Sequence, residues 1–412
     1  MRGSVTSKCM KGHRKAAKKC SSRCRRWYYV LDGPADPAGK RRRQWSSGFT
    51  NREQAEAALS EELSRRAQGI ILKSGKVTVR EFADRWLEHM ATLGRDEGTL
   101  ERYQGMLERH VLPSIGAMPL KELQPTDLSR LYAQLLRSGR RDGKPGGLHP
   151  RTVGHVHRAL HRMLKQAARW QLVARNPAAD IELPSVPKSE MVTLTCEQAA
   201  MLLKAAEERP LMRDLVMIGV ATGARLGELL ALRWEDVDLD NRTLRIGLSR
   251  RVLRGGRQAD GSKPKGRIQV KGPKTEAGYR TVILGPTTVA ALRRLRAEQA
   301  ERRLALGADY RAGEDVVIRR PDGAPYRPDS VSGMFREFVD KQGLPQTVHV
   351  HTLRHSAASF LAAAGVPASD IAAQLGHKDG GALALRVYVH PMIEGLTRAG
   401  AHLDRVVEGA LS

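Results

Sequence analysis

The clearest helical period in the chain lies in "PRTVGHVHRALHRMLKQAARWQLV", where Leu160, Met163, Leu164 and Ala167 recur at intervals of three and four. Arg158, His161, Arg162 and Lys165 fall on another face, so this segment predicts an amphipathic helix with a buried stripe and a basic outer surface. Similar spacing in "TVREFADRWLEHM", "TLERYQGMLERHVLPSIG" and "TDLSRLYAQLLRSG" extends the helical text over 77–183, a small all-α domain of about four helices. Pro145, Gly146 and Gly147 mark a loop inside it, and the prolines of "LPSVPKSE" predict a linker over 184–190.

A different period precedes this block. "RRWYYVLDGPADPAGKRRRQWSSGF" alternates aromatic and polar positions around a Gly/Pro/Asp turn, which predicts a hairpin or three-stranded sheet. Thr50 is placed to cap a following helix, with Glu53 as its capping-box partner. Residues 1–72 therefore predict a sheet-and-helix module, with a Cys/His segment at 1–25. After the linker, 191–412 is mostly helical with a strand insert near 243–284. Its last stretch, "PMIEGLTRAGAHLDRVVEGALS", repeats Ile393, Leu396, Leu403, Val407 and Leu411 on one face, a tail helix that must be covered by something. The fold class expected is multidomain, mainly α with small β-sheets.

Charge changes this picture. Seventy Lys and Arg against forty-four Asp and Glu leave +26 over 412 residues, which attracts polyanions by counterion release. Fourteen of those cations, against two acids, lie in residues 1–50. A basic β-ribbon can enter the major groove of DNA, so Lys40, Arg41, Arg42 and Arg43 are candidate contacts, as are Arg158, Arg162 and Lys165. No apolar run reaches eighteen residues and the start of the chain is basic and polar, so neither a membrane span nor a signal peptide is expected. Four cysteines suit a reducing cytoplasm rather than a disulfide framework. Three of them crowd near His13, and Cys9, His13, Cys20 and Cys24 could hold one structural zinc ion or remain free thiols, since neither spacing is the usual C-x2-C knuckle.

The chemistry concentrates in the last domain. "MIGVATGARLGELLALRWEDVDL" predicts an apolar helix, a turn at Gly223, and a second helix bearing Arg225 and Glu228 on one face. "HTLRHSAASFLAAAG" sets His351 and Arg354 three apart at a helix start, where both could face one anion. "VPASDIAAQLGHKD" predicts a helix that opens near Pro367, stops at Gly376 and presents His377 just beyond. Tyr388 follows eleven residues later, in "LALRVYVHPM".

These motifs, with "GPKTEAGYRTVIL" between them, resemble in order and rough spacing the tyrosine recombinases, or phage-type integrases. The resemblance covers almost all of 190–412, and the two upstream domains look like that family's arm-type and core-type DNA-binding domains. It implies a site-specific DNA recombinase, an integrase of a prophage or integrative element, that cleaves and rejoins DNA through a 3′-phosphotyrosyl intermediate. Tyr388 would be the nucleophile, Arg225 and Arg354 the phosphate clamp, His351 the base, Lys274 the proton donor to the leaving group, His377 a further hydrogen-bond donor and Glu228 a support for the arginine side. Lys271 is the nearest competitor to Lys274. The interval from His377 to Tyr388 is one residue longer than the family's usual spacing, with Gly380–Gly381 as the slack. The partners implied are double-stranded attachment sites, a homotetramer on DNA, a host DNA-bending factor and a directionality factor; no cofactor is required. Rival expectations are a resolvase of the same chemistry, a DNA-binding protein without catalysis, and a type IB topoisomerase.

Overall fold

In the computed structural model the described residues are 3–9, 25–35, 41–46, 48–67, 77–141, 143–187, 191–254, 266–273, 278–311, 313–377 and 382. The chain divides into two compact units, Met1–Val186 and Pro187–Ser412.

The first unit opens with an antiparallel sheet of β1 (Gly3–Cys9), β2 (Arg25–Ala35) and β3 (Arg41–Trp45), followed by helix α1 (Arg52–Ala67). The predicted turn region thus becomes the β2–β3 pair, with a register shift between Asp32 and Ala35. β1 pairs with β2 from Gly3↔Leu31 to Cys9↔Arg25, so a strand occupies part of the 1–25 segment in which the Cys/His cluster falls. The Lys8 ammonium lies 3.6 Å from the centre of the Trp45 ring, a cation–π contact across this sheet. The helix cap differs from the expected one. Asn51, not Thr50, accepts the N–H of Gln54 at 2.8 Å, while the Thr50 hydroxyl donates to the Gln54 side chain. Asn is as good an N-cap as Thr, so the choice falls to local backbone geometry.

The helical part contains α2 (Val79–Thr92), α3 (Glu97–Met106), a π turn at Leu107–Val111, α4 (Leu112–Ile115), α5 (Pro125–Ser138) and α6 (Pro150–Arg169). Thr78 and Glu81 form a reciprocal capping box at the start of α2. Trp86, Phe82, Leu128, Leu160, Met163 and Leu164 meet in its core, so the predicted stripe of α6 is the buried one.

The second unit runs α7 (Cys196–Ala205), α8 (Pro210–Thr222), the single turn α9 (Leu226–Leu229), β4 (Val237–Asp238), β5 (Thr243–Ile246), β6 (Ser249–Leu253), β7 (Arg267–Lys271), β8 (Arg280–Ile283), α10 (Pro286–Leu306), α11 (Pro328–Lys341), α12 (Val350–Ala363) and α13 (Ala368–Leu375). The strand insert is two structures. One sheet has the order β4-β5-β8, and β6 and β7 form a separate antiparallel pair. Leu215, Ile218, Leu230, Val282, Phe335 and Leu353 lie in one core joining α8, α9, β8, α11 and α12. Along β8, positions alternate buried and exposed, which sends Arg280 and Val282 inward. Among the described residues no helix is long and apolar enough to cross a membrane.

Candidate active site

The site grows from the turn that ends α8. Gly223 adopts a left-handed conformation (φ 61°), and a Cβ placed on it would lie 2.4 Å from Leu375 Cδ2. Both the backbone and the approach of α13 therefore require glycine here. The chain leaves this turn in an extended conformation and reaches Arg225, which is the N-cap of α9 rather than a residue within a helix. The expected Arg–Glu pair survives in that altered setting. Glu228 accepts the Arg225 backbone N–H through Oε2 at 2.9 Å and the Arg225 Nη1 through Oε1 at 2.9 Å. The carboxylate is 9% exposed and the Arg225 side chain 44%, so the pair is closed on its inner side and open on its outer side.

The inner side is closed by Arg280, whose Nη2 donates to Glu228 Oε2 at 2.8 Å. Burial, the largest influence on Glu228, would raise its pKa. The hydrogen bond and charge of Arg280, with the N–H and charge of Arg225, outweigh burial and hold it below the ordinary carboxylate value. Glu228 is thus a carboxylate whose ionised form is favoured by two guanidinium groups.

Helix α12 supplies the next two groups. His349 caps it and Thr352 reciprocates. Arg354, 2% exposed, donates through Nη1 to the Gly223 carbonyl at 2.8 Å and through Nη2 to the Leu375 carbonyl at 2.7 Å. One guanidinium therefore ties the end of α8 to the end of α13. The expectation that His351 and Arg354 simply face a common anion is met only in part, because Arg354 is committed to carbonyls in the interior while His351 is exposed at the helix start. Their coupling is electrostatic. His351 is pushed down to about 4, by the protein packed around it first and then by His355, Arg354, Arg225 and His349. His355 is likewise pushed down to about 4, by burial and then by Arg354, His349 and His377. The His351 and His355 rings meet edge to face, with centroids 4.5 Å apart and planes at 76°. At neutral pH both rings are uncharged, a form that can accept a proton.

Helix α13 opens after Pro367 and ends at Gly376, which is left-handed at φ 67°. The backbone N–H of His377 donates to Ala372 O at 2.9 Å, so this residue is held against the helix end as its sequence position predicts. The turn at Gly223 thereby gathers Arg225, Arg354 and the end of α13, with His351 in the field of both guanidinium groups and His355 in that of Arg354.

This arrangement can be compared with known proteins. The phage integrase family model matches residues 193–394, and the phage integrase N-terminal SAM-like domain model matches residues 78–136. An integrase of Streptomyces ambofaciens is 30% identical over 385 residues, covering 90% of this chain and 91% of that protein. The chain belongs to the phage integrase family. A XerC-like tyrosine recombinase of Caldanaerobacter subterraneus is 24% identical, covering 88% of this chain and 92% of its own length. In fold, the chain is similar to the Tn1549 transposon integrase in complex with transposon right end DNA, with a TM-score of 0.63, 20% identity, and coverage of 80% of this chain and 100% of that one. It is also similar to a lambda integrase dimer bound to a COC′ core site, with a TM-score of 0.54, 18% identity, and coverage of 88% and 92%.

For this family member the other candidate residues are distributed as follows. Lys274 and Tyr388 lie outside the described residues, as do the tail, Lys40, His13, Cys20 and Cys24. Lys271 ends β7, paired in register with Ser249. Cys9 ends β1 and is half-buried; Arg41, Arg42 and Arg43 fall on β3. Arg158, Arg162 and Lys165 are exposed on α6, together with Arg151, His155 and Arg169, which continue the same alternating four-and-three spacing. Arg162 Nη1 donates to the Tyr103 hydroxyl at 3.0 Å, and Arg158 Nη2 meets His155 Nδ1 at 2.7 Å.

Two residues of the site were not singled out in the sequence. His355 was visible as a second histidine one helical turn after His351 in "HTLRHSAAS". Arg280 was visible only as a charge on the same face as Val282 in the alternating strand "YRTVIL".

Proposed function

We propose that this integrase-family chain carries out site-specific recombination by cleaving and rejoining DNA through Tyr388. The phenol oxygen attacks a DNA phosphodiester, the 5′-oxygen leaves, and a 3′-phosphotyrosyl ester forms; attack by a 5′-hydroxyl on that ester reverses the step on a new partner. The ester keeps the energy of the broken bond, so rejoining calls for no nucleotide cofactor. Arg225 faces the charge that builds on the nonbridging oxygens, where a guanidinium supplies parallel donors and never loses its proton, and Arg354, whose Nη groups hold the Gly223 and Leu375 carbonyls, adds its fixed positive charge from beneath. His351 takes the phenol proton and Lys274 supplies one to the departing 5′-oxygen. His377 donates a hydrogen bond to the phosphate. The assembly is a homotetramer holding two attachment sites, aided by a DNA-bending host factor and a directionality factor. A lambda integrase tetramer bound to a Holliday junction is a structural neighbour, with a TM-score of 0.52.

The observation that supports this mechanism best is the pair of guanidinium groups anchored on either side of Gly223, one through a buried carboxylate and one through two backbone carbonyls. Such anchoring fixes positive charge before a substrate arrives. Desolvation first, and then the nearby His355, Arg354 and Arg225, keep His351 neutral, and an incoming phosphate would draw its pKa back upward, as a proton acceptor for this step requires.

The test is a nicked suicide substrate, which loses its short 5′ fragment on cleavage and traps the covalent adduct. Tyr388→Phe removes one oxygen and should bind core-site DNA as the parent does while forming no adduct. Adduct formation by that variant would refute the assignment.

A further inference from the structure

Arg280 stands where three segments of the site converge. Its side chain is 5% exposed. Nη2 donates to Glu228 Oε2 at 2.8 Å, and Nε donates to the carbonyl of Gln374 at 2.9 Å. Nη1 is buried and has no hydrogen-bond partner among the described residues. Glu228 in turn grips Arg225 twice. Gln374 immediately precedes Leu375, whose carbonyl is held by Arg354. Two different arginines therefore hold successive carbonyls in the last turn of α13, two residues before His377. Those carbonyls are the ones a helix end leaves without internal partners, and they carry the negative end of its dipole.

A buried ion pair is a poor device for stability, because desolvation offsets most of the attraction. Its value here is directional. A guanidinium offers five donors in a rigid plane, and Arg280 uses that plane to fix a carboxylate and a carbonyl at one mutual angle. An ammonium could neutralise Glu228 but could not impose that angle.

We propose that Arg280 is a positioning residue that sets Arg225, through Glu228, in register with His377, through the last turn of α13. The thread runs Arg225–Glu228–Arg280–Gln374, and none of its inner members needs to touch DNA. This rests on the recombination mechanism proposed above, in which Arg225 and His377 meet the same phosphate.

Arg280→Lys tests it, because the variant keeps the charge opposite Glu228 and loses the fork. Single-turnover cleavage of the suicide substrate at saturating protein should slow about 100-fold, the effect of misplacing reacting groups by roughly 1 Å. Core-site affinity, measured by gel shift, should stay within about twofold, since the side chain is buried and the exposed phosphate contacts remain. Cleavage at the parental rate would overturn the proposal, and so would a loss confined to affinity. Should Arg280→Lys fail to fold, Arg280→Met combined with Glu228→Gln removes the buried charge together with its partner. That double variant should fold, bind, and cleave no more slowly than the slower of its two single variants; additive losses would show that the two residues do not act in one thread. Tyr388→Phe, assayed alongside, separates the two levels. If it forms adduct, the underlying mechanism is wrong; if it is inert while Arg280→Lys cleaves normally, only the thread is wrong.

Discussion

Arg354→Met would remove the guanidinium that ties α8 to α13 while leaving a side chain of similar length in the cavity. Arg354 is 2% exposed, and its Nη groups hold the carbonyls of Gly223 and Leu375 at 2.8 and 2.7 Å. Both acceptors would stay buried, and an unsatisfied buried group costs about 1–3 kcal/mol, so the pair costs roughly 2–6 kcal/mol. The gain on the other side is the desolvation no longer demanded by a buried cation, which offsets part of this. A net loss of about 3 kcal/mol is expected, and since 1.4 kcal/mol is a factor of ten, that is about a 100-fold loss of amide protection. Hydrogen exchange followed by mass spectrometry measures it locally, on peptides spanning 210–230 and 366–377. Both peptides should lose protection together, because one side chain joins them, whereas peptides of the helical core around Trp86 should not change. Loss in one peptide alone, or a change below about threefold in both, would refute the idea that Arg354 anchors the turn.

Three further outcomes follow from the same geometry. Lys274→Ala should slow cleavage of an ordinary substrate and recover much of the rate when the 5′ leaving atom is sulfur, which departs without a proton; rescue of Lys271→Ala instead would move the proton donor to the end of β7. His351 and His355 have folded pKa values near 4 against 6.5 unfolded, so the unfolded chain binds more protons between those values. Their contribution to stability is present above pH 6.5 and lost as pH falls toward 4, and in calorimetry His355→Gln should reduce the drop in melting temperature between pH 7 and 5; an unchanged drop would contradict the assignment. Arg158→Gln with Arg162→Gln should flatten the salt dependence of core-site binding by nearly two units of log–log slope, and an unaltered slope would show that the exposed face of α6 does not meet phosphates.

The parts of this fold legible in the sequence are those governed by local periodicity or by a single backbone requirement. The buried stripe of α6 is a matter of spacing, and the turns at Gly223 and Gly376 follow from the left-handed conformation each adopts. His377 could be placed because a helix stop fixes what comes next. What stayed hidden depends on contacts between distant positions. Arg280 meets residues 52 and 94 positions away, and no local pattern marks either partner. Nor does the strand text reveal that β5 pairs with β8 rather than with β6, since several short alternating strands fit either order. The pairing of Arg225 with Glu228 was legible but its setting was not, because a one-turn helix is too short to show a period, and the capping role emerges only from its bonds to Glu228.

The chain uses positive charge in two ways, and the difference explains why one arginine cannot stand for another. On α6 the cations are exposed and evenly spaced, and salt screens them, so on the function proposed each would contribute a modest, additive share of affinity to DNA. In the second unit Arg280 and Arg354 are buried, and each is bound to acceptors that dictate its orientation. Burial makes them expensive to hold and nearly indifferent to salt, which is a poor bargain for affinity and a good one for geometry. Arg225 stands between these extremes, with its inner side fixed by Glu228 and its outer side open. It is the guanidinium best placed to carry the interior's fixed geometry to an arriving phosphate. Raising salt should therefore weaken binding while leaving the cleavage rate of bound complexes nearly constant, because the buried bonds through Glu228 and Arg280 that orient Arg225 are screened little.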